Sequence, residues 1–490
     1  MKKETHKYLQ QNAENPEVLR KFTRRELMGA GFAGLATRVW MPSTASLIAN
    51  LLGTSSSANA ATELTNWMPF ITINLSGGAG IHGNIVPLNA SGSMLATYDF
   101  LGLGKKPTVE NYLGLNFMDK SRMLEGLKSV LSADASAKTK GSILCTSTSP
   151  DTNAIAPLRS QFDLSAVLEK TGKKGEFFSD LQMNAASTSI RSFHDQEPIS
   201  RLNVASLSQL KDSLSLTAVY ASTVSTTDRT PRFTQNQKRN VASVLSKITE
   251  LQLNSRDSTK LNPEKSKIID ASKKLEDLVG GTVSGQTLVD PYQSPMAKSV
   301  YKLTDPAKDS ASLQTTAAIM YCNLMGYSSH TYLALPGYDY HDPATRTQSN
   351  QRDFEAGQQI GRVIELAHQL QKSVFIFINT DGSCVSIKSD DVTSQWSGDT
   401  TNSLQLIISY TPNGIDFTKT DNLKSQIGHY TNDQATDKTT LVGDRTDYVA
   451  AAVTANYLSL HGQINRLTEV VPSTITQDRA GEVVRLKVKG

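Results

Sequence analysis

Short apolar, partly β-branched runs punctuate the chain at Pro69–Leu75, Ser142–Thr146, Leu214–Tyr220, His330–Leu335, Ser373–Asn379 and Leu404–Tyr410. Their length and composition predict buried strands. Helical spacing appears between the later ones. Ser310–Met325 carries Ala317, Ile319, Met320 and Leu324, and Gln351–Leu370 carries Ile360, Val363, Ile364, Ala367 and Leu370. Strands alternating with long helices predict an α/β fold: a mostly parallel sheet flanked by helices. Residues 233–281 are charged and helical, broken at Asn262-Pro263, and read as a helical hairpin packed on the sheet. Residues 386–403 and 412–440 are rich in Ser, Thr, Asp and Asn and predict long polar surface loops. Thr446-Asp447 before Val449, Ala450, Val453, Tyr457 and Leu458 predicts a capped amphipathic helix. Residues 61–490 are thus expected to form one large α/β domain carrying the hairpin as an insertion.

The first sixty residues read differently. Thr23-Arg24-Arg25-Glu26-Leu27-Met28 is followed by the small and apolar stretch Gly29–Ala36, an apolar run Ala45–Leu52, serines, and Ala58-Asn59-Ala60. Paired arginines, a modest apolar region and an Ala-x-Ala end predict a twin-arginine export signal, cleaved near Ala60. Neither apolar run reaches the ~20 residues that span a bilayer. Residues 1–60 hold eight Lys/Arg and four Asp/Glu, a net of +4 that equals that of the whole chain (50 − 46). The remaining residues balance, so the basic pI belongs to the leader. No basic stripe or aromatic platform suggests nucleic acid. Cys145, Cys322 and Cys384 are too few, and odd in number, for a disulfide framework, and are expected as small buried hydrophobes.

Candidate chemistry sits in three turns, each after an apolar strand. In Leu75–Asn84, Gly78-x-Gly80-x-x-Gly83 matches a dinucleotide fingerprint, but Ile85-Val86-Pro87 follows where that motif needs a helix. A tight turn is the better reading, and it leaves His82 and Asn84 projecting at the strand end, where open α/β sheets bind ligands. Pro336–Asp342 places Asp339 and His341 alternately on an extended segment. They read as a metal-binding or acid–base pair, or as a turn cap beside a polar histidine. Asn379-Thr380-Asp381-Gly382-Ser383 puts Asp381 at a third strand end, as a cap or a ligand.

These pieces, in this order, resemble a family of twin-arginine-exported bacterial proteins distantly related to alkaline phosphatases and sulfatases. The resemblance runs from about Phe70 to about His461. It implies an alkaline-phosphatase/sulfatase-like fold in the periplasm, with acids and histidines where relatives hold divalent metals. Asp339 and His341 match the family's Asp-x-His, and Asp381 approximates its next acidic turn. The acid of the first turn falls on Gly80. The later Asp-His pair, placed at Asp399-Thr400, keeps its Asp and lacks its His. The implied metal set is therefore Asp339, His341, Asp381 and Asp399, with His82 and Asn84 as catalytic candidates, and the set is incomplete.

Three functions follow. One is a metal-dependent hydrolase of phosphate or sulfate esters. A second is a non-catalytic binding or structural protein of the cell envelope. The third, an oxidoreductase using Gly78–Gly83, has the least support.

Overall fold

The computed structural model describes residues 67–147, 164–173, 175, 178–184, 201–213, 288–340, 347–385, 399–471 and 474–489. The leader, the run 214–220, the segment 233–281, His341 and residues 386–398 lie outside the described residues. The chain divides into two compact units. Every strand among the described residues belongs to the unit made of Glu63–Ser206 and Pro291–Gly490. The described parts of the other unit are a short helix, Leu207–Ser213, and residues 288–290; Lys211 of the helix pairs with Asp290 at 2.6 Å.

The strands are β1 (Phe70–Leu75), β2 (Val109–Tyr112), β3 (Leu115–Met118), β4 (Thr139–Ser147), β5 (Phe178–Met183), β6 (Arg201–Asn203) and β7 (Ser328–Leu335). They continue with β8 (Val374–Asn379), β9 (Ser383–Cys384), β10 (Asp399–Thr400), β11 (Asn402–Tyr410), β12 (Ile415–Phe417), β13 (Gln426–Ile427) and β14 (Leu486–Val488). Eight of them form one sheet in the order β13-β4-β11-β8-β1-β7-β5-β6. Parallel pairings join β8, β1, β7, β5 and β6. Strand β11 runs antiparallel to both β8 and β4, and β13 runs parallel to β4. Seven strands therefore share one direction and β11 alone is reversed. Every residue of β1 and β8 is buried, as a strand covered on both faces requires.

Among the described residues the α-helices of five residues or more are α1 (Arg122–Lys128), α2 (Ala133–Ala137), α3 (Ser165–Lys170), α4 (the Leu207–Ser213 helix), α5 (Pro295–Tyr301), α6 (Ala311–Leu324), α7 (Ser349–Gln369) and α8 (Thr446–Leu460). Ser310 caps α6 by accepting from the Leu313 N–H, which sets the start of the helix leading into β7. Helices α1 and α7 cross closely through glycine. A Cβ on Gly126 would lie 2.1 Å from the Phe354 carbonyl oxygen, and one on Gly357 would lie 2.0 Å from that of Met123. This crossing fixes α7 against α1.

Two expectations need correction. Residues 412–440 are not simply a loop: they contain β12 and β13, and β13 joins the main sheet. Two residues are too few to leave an alternating pattern. Ile427 packs into the hydrophobic core, and the Gln426 side-chain amide brackets both the N–H and the carbonyl of Leu88 at 2.9 Å. The polar run ending at 403 likewise includes β10 and the start of β11. Helix α8 is not amphipathic either. Val449 to Leu458 are all buried, because the helix packs into a cluster with Phe70, Phe375, Phe377, Ile407 and the C-terminal segment. Its many alanines allow that enclosure on every side. All three cysteines are buried and none is in a disulfide.

Candidate functional site

The site is built from the ends of three adjacent parallel strands: the turns after β1, β7 and β8. Thr380 links two of them. Its hydroxyl donates to the Leu75 carbonyl (2.9 Å) and accepts from the Ala79 N–H (2.7 Å). Its own backbone is clamped by the Gln405 side chain, which accepts from the Thr380 N–H (2.8 Å) and donates to its carbonyl (2.9 Å). Asp381 reaches the same turn, its Oδ1 accepting from the Gly77 N–H at 2.9 Å. The third turn is joined through the backbone, with Ser76 N–H donating to Leu335 O (3.0 Å) and Tyr338 N–H to Ser76 O (3.2 Å).

Gly77 is the pivot. Its φ is +109°, and an added Cβ would sit 2.7 Å from the Asp339 Cβ. Only glycine accepts both that conformation and that approach. Asp339 and Asp381, from different strand ends, therefore both abut Gly77.

His82 and Asn84 were expected to project from the strand end; the structure turns both inward. They lie on a 3-10 turn, Ile81–Gly83, and just after it, and both are buried. His82 Nδ1 lies 3.2 Å from the Ser383 hydroxyl. Burial lowers its pKa to about 4, with a hydrogen bond to the Cys384 backbone acting the other way, so the ring is neutral at physiological pH. The Asn84 amide donates to Asp353 (2.8 Å) and accepts from the Ser121 hydroxyl (2.8 Å) and the Met123 N–H (3.2 Å). It thus ties the first turn to the starts of α1 and α7. Asp353 also accepts from the Tyr340 hydroxyl at 2.8 Å. Burial pushes its carboxyl up to about 6, against those two hydrogen bonds.

A 3-10 turn, not a full helix, follows the glycines of the apparent dinucleotide fingerprint. The N–H groups of Gly77 and Ala79 are held by Asp381 and Thr380, so they point at protein groups and not at a phosphate site.

The implied metal set can be tested against this geometry. A side chain at Gly80, where the resemblance places an acid, would meet Cys384 Sγ at 3.6 Å and the Tyr340 ring at 3.7 Å. That corner is lined by sulfur and an aromatic ring, a poor setting for a hard-cation ligand. Asp381 already spends one oxygen on a backbone N–H. Asp399 brings its backbone beside Cys384 in the short β9–β10 ladder, while its side chain, like His341, lies outside the described residues. Among the described residues no three His, Cys, Asp or Glu side chains are grouped to hold a metal. Of the four implied ligands, only Asp339 and Asp381 have described side chains, and both abut Gly77.

Sequence reading missed Thr380 as the central fastener, Gln405 as its clamp, and Asp353. Thr380 stood beside the chosen Asp381. Gln405 and Asp353 lie inside an apolar strand and a helix, where no turn signal marks them.

The fold thus defines an α/β protein with a large mixed, mostly parallel sheet and a polar rim at its strand ends. No family model matches the chain, and no curated protein or solved structure matches it significantly.

Proposed function

We propose that this is an exported periplasmic protein of alkaline-phosphatase/sulfatase-like architecture whose strand-end rim binds a component of the cell envelope instead of hydrolysing an ester. One observation carries this reading. Two of the candidate catalytic and metal side chains are engaged in bracing the rim: Asp381 on Gly77, and Asn84 on Asp353, Ser121 and Met123. A rim braced in this way is a preorganised surface, which favours binding by lowering its ordering cost. No helix among the described residues is long and apolar enough to cross a membrane.

A metal-dependent phosphate or sulfate ester hydrolase is the second reading. It is favoured by the meeting of Asp339 and Asp381 at Gly77, with His341 two residues further on. Elemental analysis of protein purified from its own envelope, with aryl phosphate and aryl sulfate assays, separates the two. The binding reading expects substoichiometric metal, no turnover, and recovery of a discrete envelope component by pull-down. Stoichiometric divalent metal with turnover abolished by Asp339→Ala plus His341→Ala would replace it with the hydrolase.

A further inference from the structure

A cavity of about 210 Å³ lies beside the outer strand β13. It is bounded by Gly428 and His429 just after that strand, by Thr440, and by Arg479, Glu482 and Arg485 of the C-terminal segment. In the strand order β13 stands three places from β8, the nearest strand of the rim, so about 14 Å separates them at ~4.8 Å per step. The cavity is therefore distinct from the rim.

Arg485 is its unusual wall. The residue is only 4% exposed, yet its guanidinium is held by neutral acceptors. Nε donates to the carbonyls of Gln426 (2.8 Å) and Leu423 (3.3 Å), and Nη1 to those of Glu482 (2.8 Å) and Val484 (3.1 Å). Nη2 takes part in none of these bonds. Among the described residues Arg485 is in no ion pair with a carboxylate, whereas the neighbouring Arg479 is. Burial lowers its pKa to about 10, with Asp421 acting the other way, so it stays charged at neutral pH. Enclosing a cation whose hydrogen bonds all go to carbonyls is costly, and an anion in direct contact with it would offset that cost.

The other charges on the wall leave that need standing. Arg479 is spent on Glu482, Nε to Oε1 at 2.8 Å and Nη2 to Oε2 at 3.0 Å. His429 Nε2 faces Asp437 Oδ2 at 3.0 Å. Two guanidinium groups thus oppose one carboxylate on the cavity wall, and the histidine has its own acid.

We propose that this cavity binds a small oxyanion, with Arg485 as the inner anchor and Arg479 at the mouth. The head group is a phosphate, a sulfate or a carboxylate, the planar guanidinium fork being suited to each. At ~30 Å³ per water the space holds about seven water-sized atoms, so the head group carries only a few further atoms.

The test is calorimetric titration of the full chain with inorganic phosphate, sulfate and acetate in separate arms. Saturable binding in one arm is expected and identifies the head group. Arg485→Gln should weaken it at least about tenfold, and Arg479→Gln roughly threefold. Glu482→Gln should strengthen it roughly threefold, because it removes the opposing charge and releases Arg479. A purely structural role for these residues would not produce changes of opposite sign. Should Arg485→Gln fail to fold, the Arg479→Gln and Glu482→Gln pair decides alone. No saturable binding in any arm up to about 10 mM, or binding unchanged in both of those variants, overturns the proposal.

Discussion

The two ends of β1 are fastened by different chemistry. At the amino end one carbonyl, that of Met68, takes both the Lys173 ammonium (2.8 Å) and the Tyr457 hydroxyl (2.6 Å). The Met68 N–H donates to His461 Nε2 at 3.3 Å, and Trp67 stacks on Tyr457 with ring centroids 5.6 Å apart. At the carboxyl end short side chains and glycines do the work: Thr380 on Leu75 and Ala79, Asp381 on Gly77. The amino end is a joint of long side chains around a single acceptor, able to absorb small shifts. The carboxyl end brings three backbones together at separations that a single methyl group would disturb. Tolerance belongs to the first and a fixed shape to the second, which is the property a binding rim needs.

Acid should strike both ends, and this is the largest effect expected. Burial lowers His82 to about 4, and burial together with the nearby Lys173 charge lowers His461 to about 4. Between pH 6.5 and 4 the unfolded chain takes up protons that these folded-state rings refuse. Their stabilising contribution is therefore complete above about pH 6.5 and is lost as pH falls towards 4 and below. At about 1.4 kcal/mol per unit the loss is on the order of 3 kcal/mol for His82. It is smaller at His461, which is half-buried and better screened. Asp353 works against this loss, since its raised pKa favours the folded state in acid and that benefit fades as pH rises through about 6. Urea unfolding at pH 7 and pH 4.5 should show a marked drop for the wild type and a smaller one for His82→Asn and for His461→Asn. Equal drops in all three would remove burial of these rings as its cause.

Gly77→Ala separates the ends. The new methyl would meet Asp339 Cβ at 2.7 Å and its backbone N and Cα at 3.0 Å, on a residue with φ of +109°. Strain and collision together should cost about 3 kcal/mol. Denaturant midpoints report this loss, and proteolysis of the native state should begin at the rim turns. A variant as stable as wild type would mean that this end is as adaptable as the other.

The same contrast explains what the sequence made legible. Strands β1, β7, β8 and β11 and helices α6 and α7 were readable, because buried runs and a 3.6-residue spacing need no partner to be recognised. The three polar turns were readable too, since each follows such a run. Their contacts were not. That Thr380 reaches Leu75 and Ala79, some 300 residues away in sequence, depends on β8 lying beside β1, and strand order leaves no mark in local pattern. Strand β5 was missed because Ser179, Asp180 and Gln182 interrupt its apolar residues. Buried Asp180 is held there by His330 of β7, Oδ1 to Nδ1 at 2.9 Å, and His330 Nε2 lies 2.9 Å from the Thr72 hydroxyl of β1. A polar relay across three strands looks, in one dimension, like three unrelated residues.

Lys173→Met probes the tolerant end and should have the smallest effect, with the opposite sign. Lys173 is buried, its pKa is held well below the ordinary lysine value by desolvation, and its Nζ lies 5.7 Å from the Tyr457 ring centroid. The stabilisation withheld at neutral pH would return only as pH rises from its folded pKa towards the unfolded value near 10.4. Methionine keeps the length and apolar contact of the side chain and removes the charge. The Met68 carbonyl does not become an unsatisfied acceptor, because Tyr457 still donates to it. The variant should therefore be about 1 kcal/mol more stable at pH 7, and the gain should shrink as pH approaches 10. A loss of stability would show that the ammonium's bond to Met68 outweighs its desolvation. The amino end of β1 would then be as exacting as the carboxyl end.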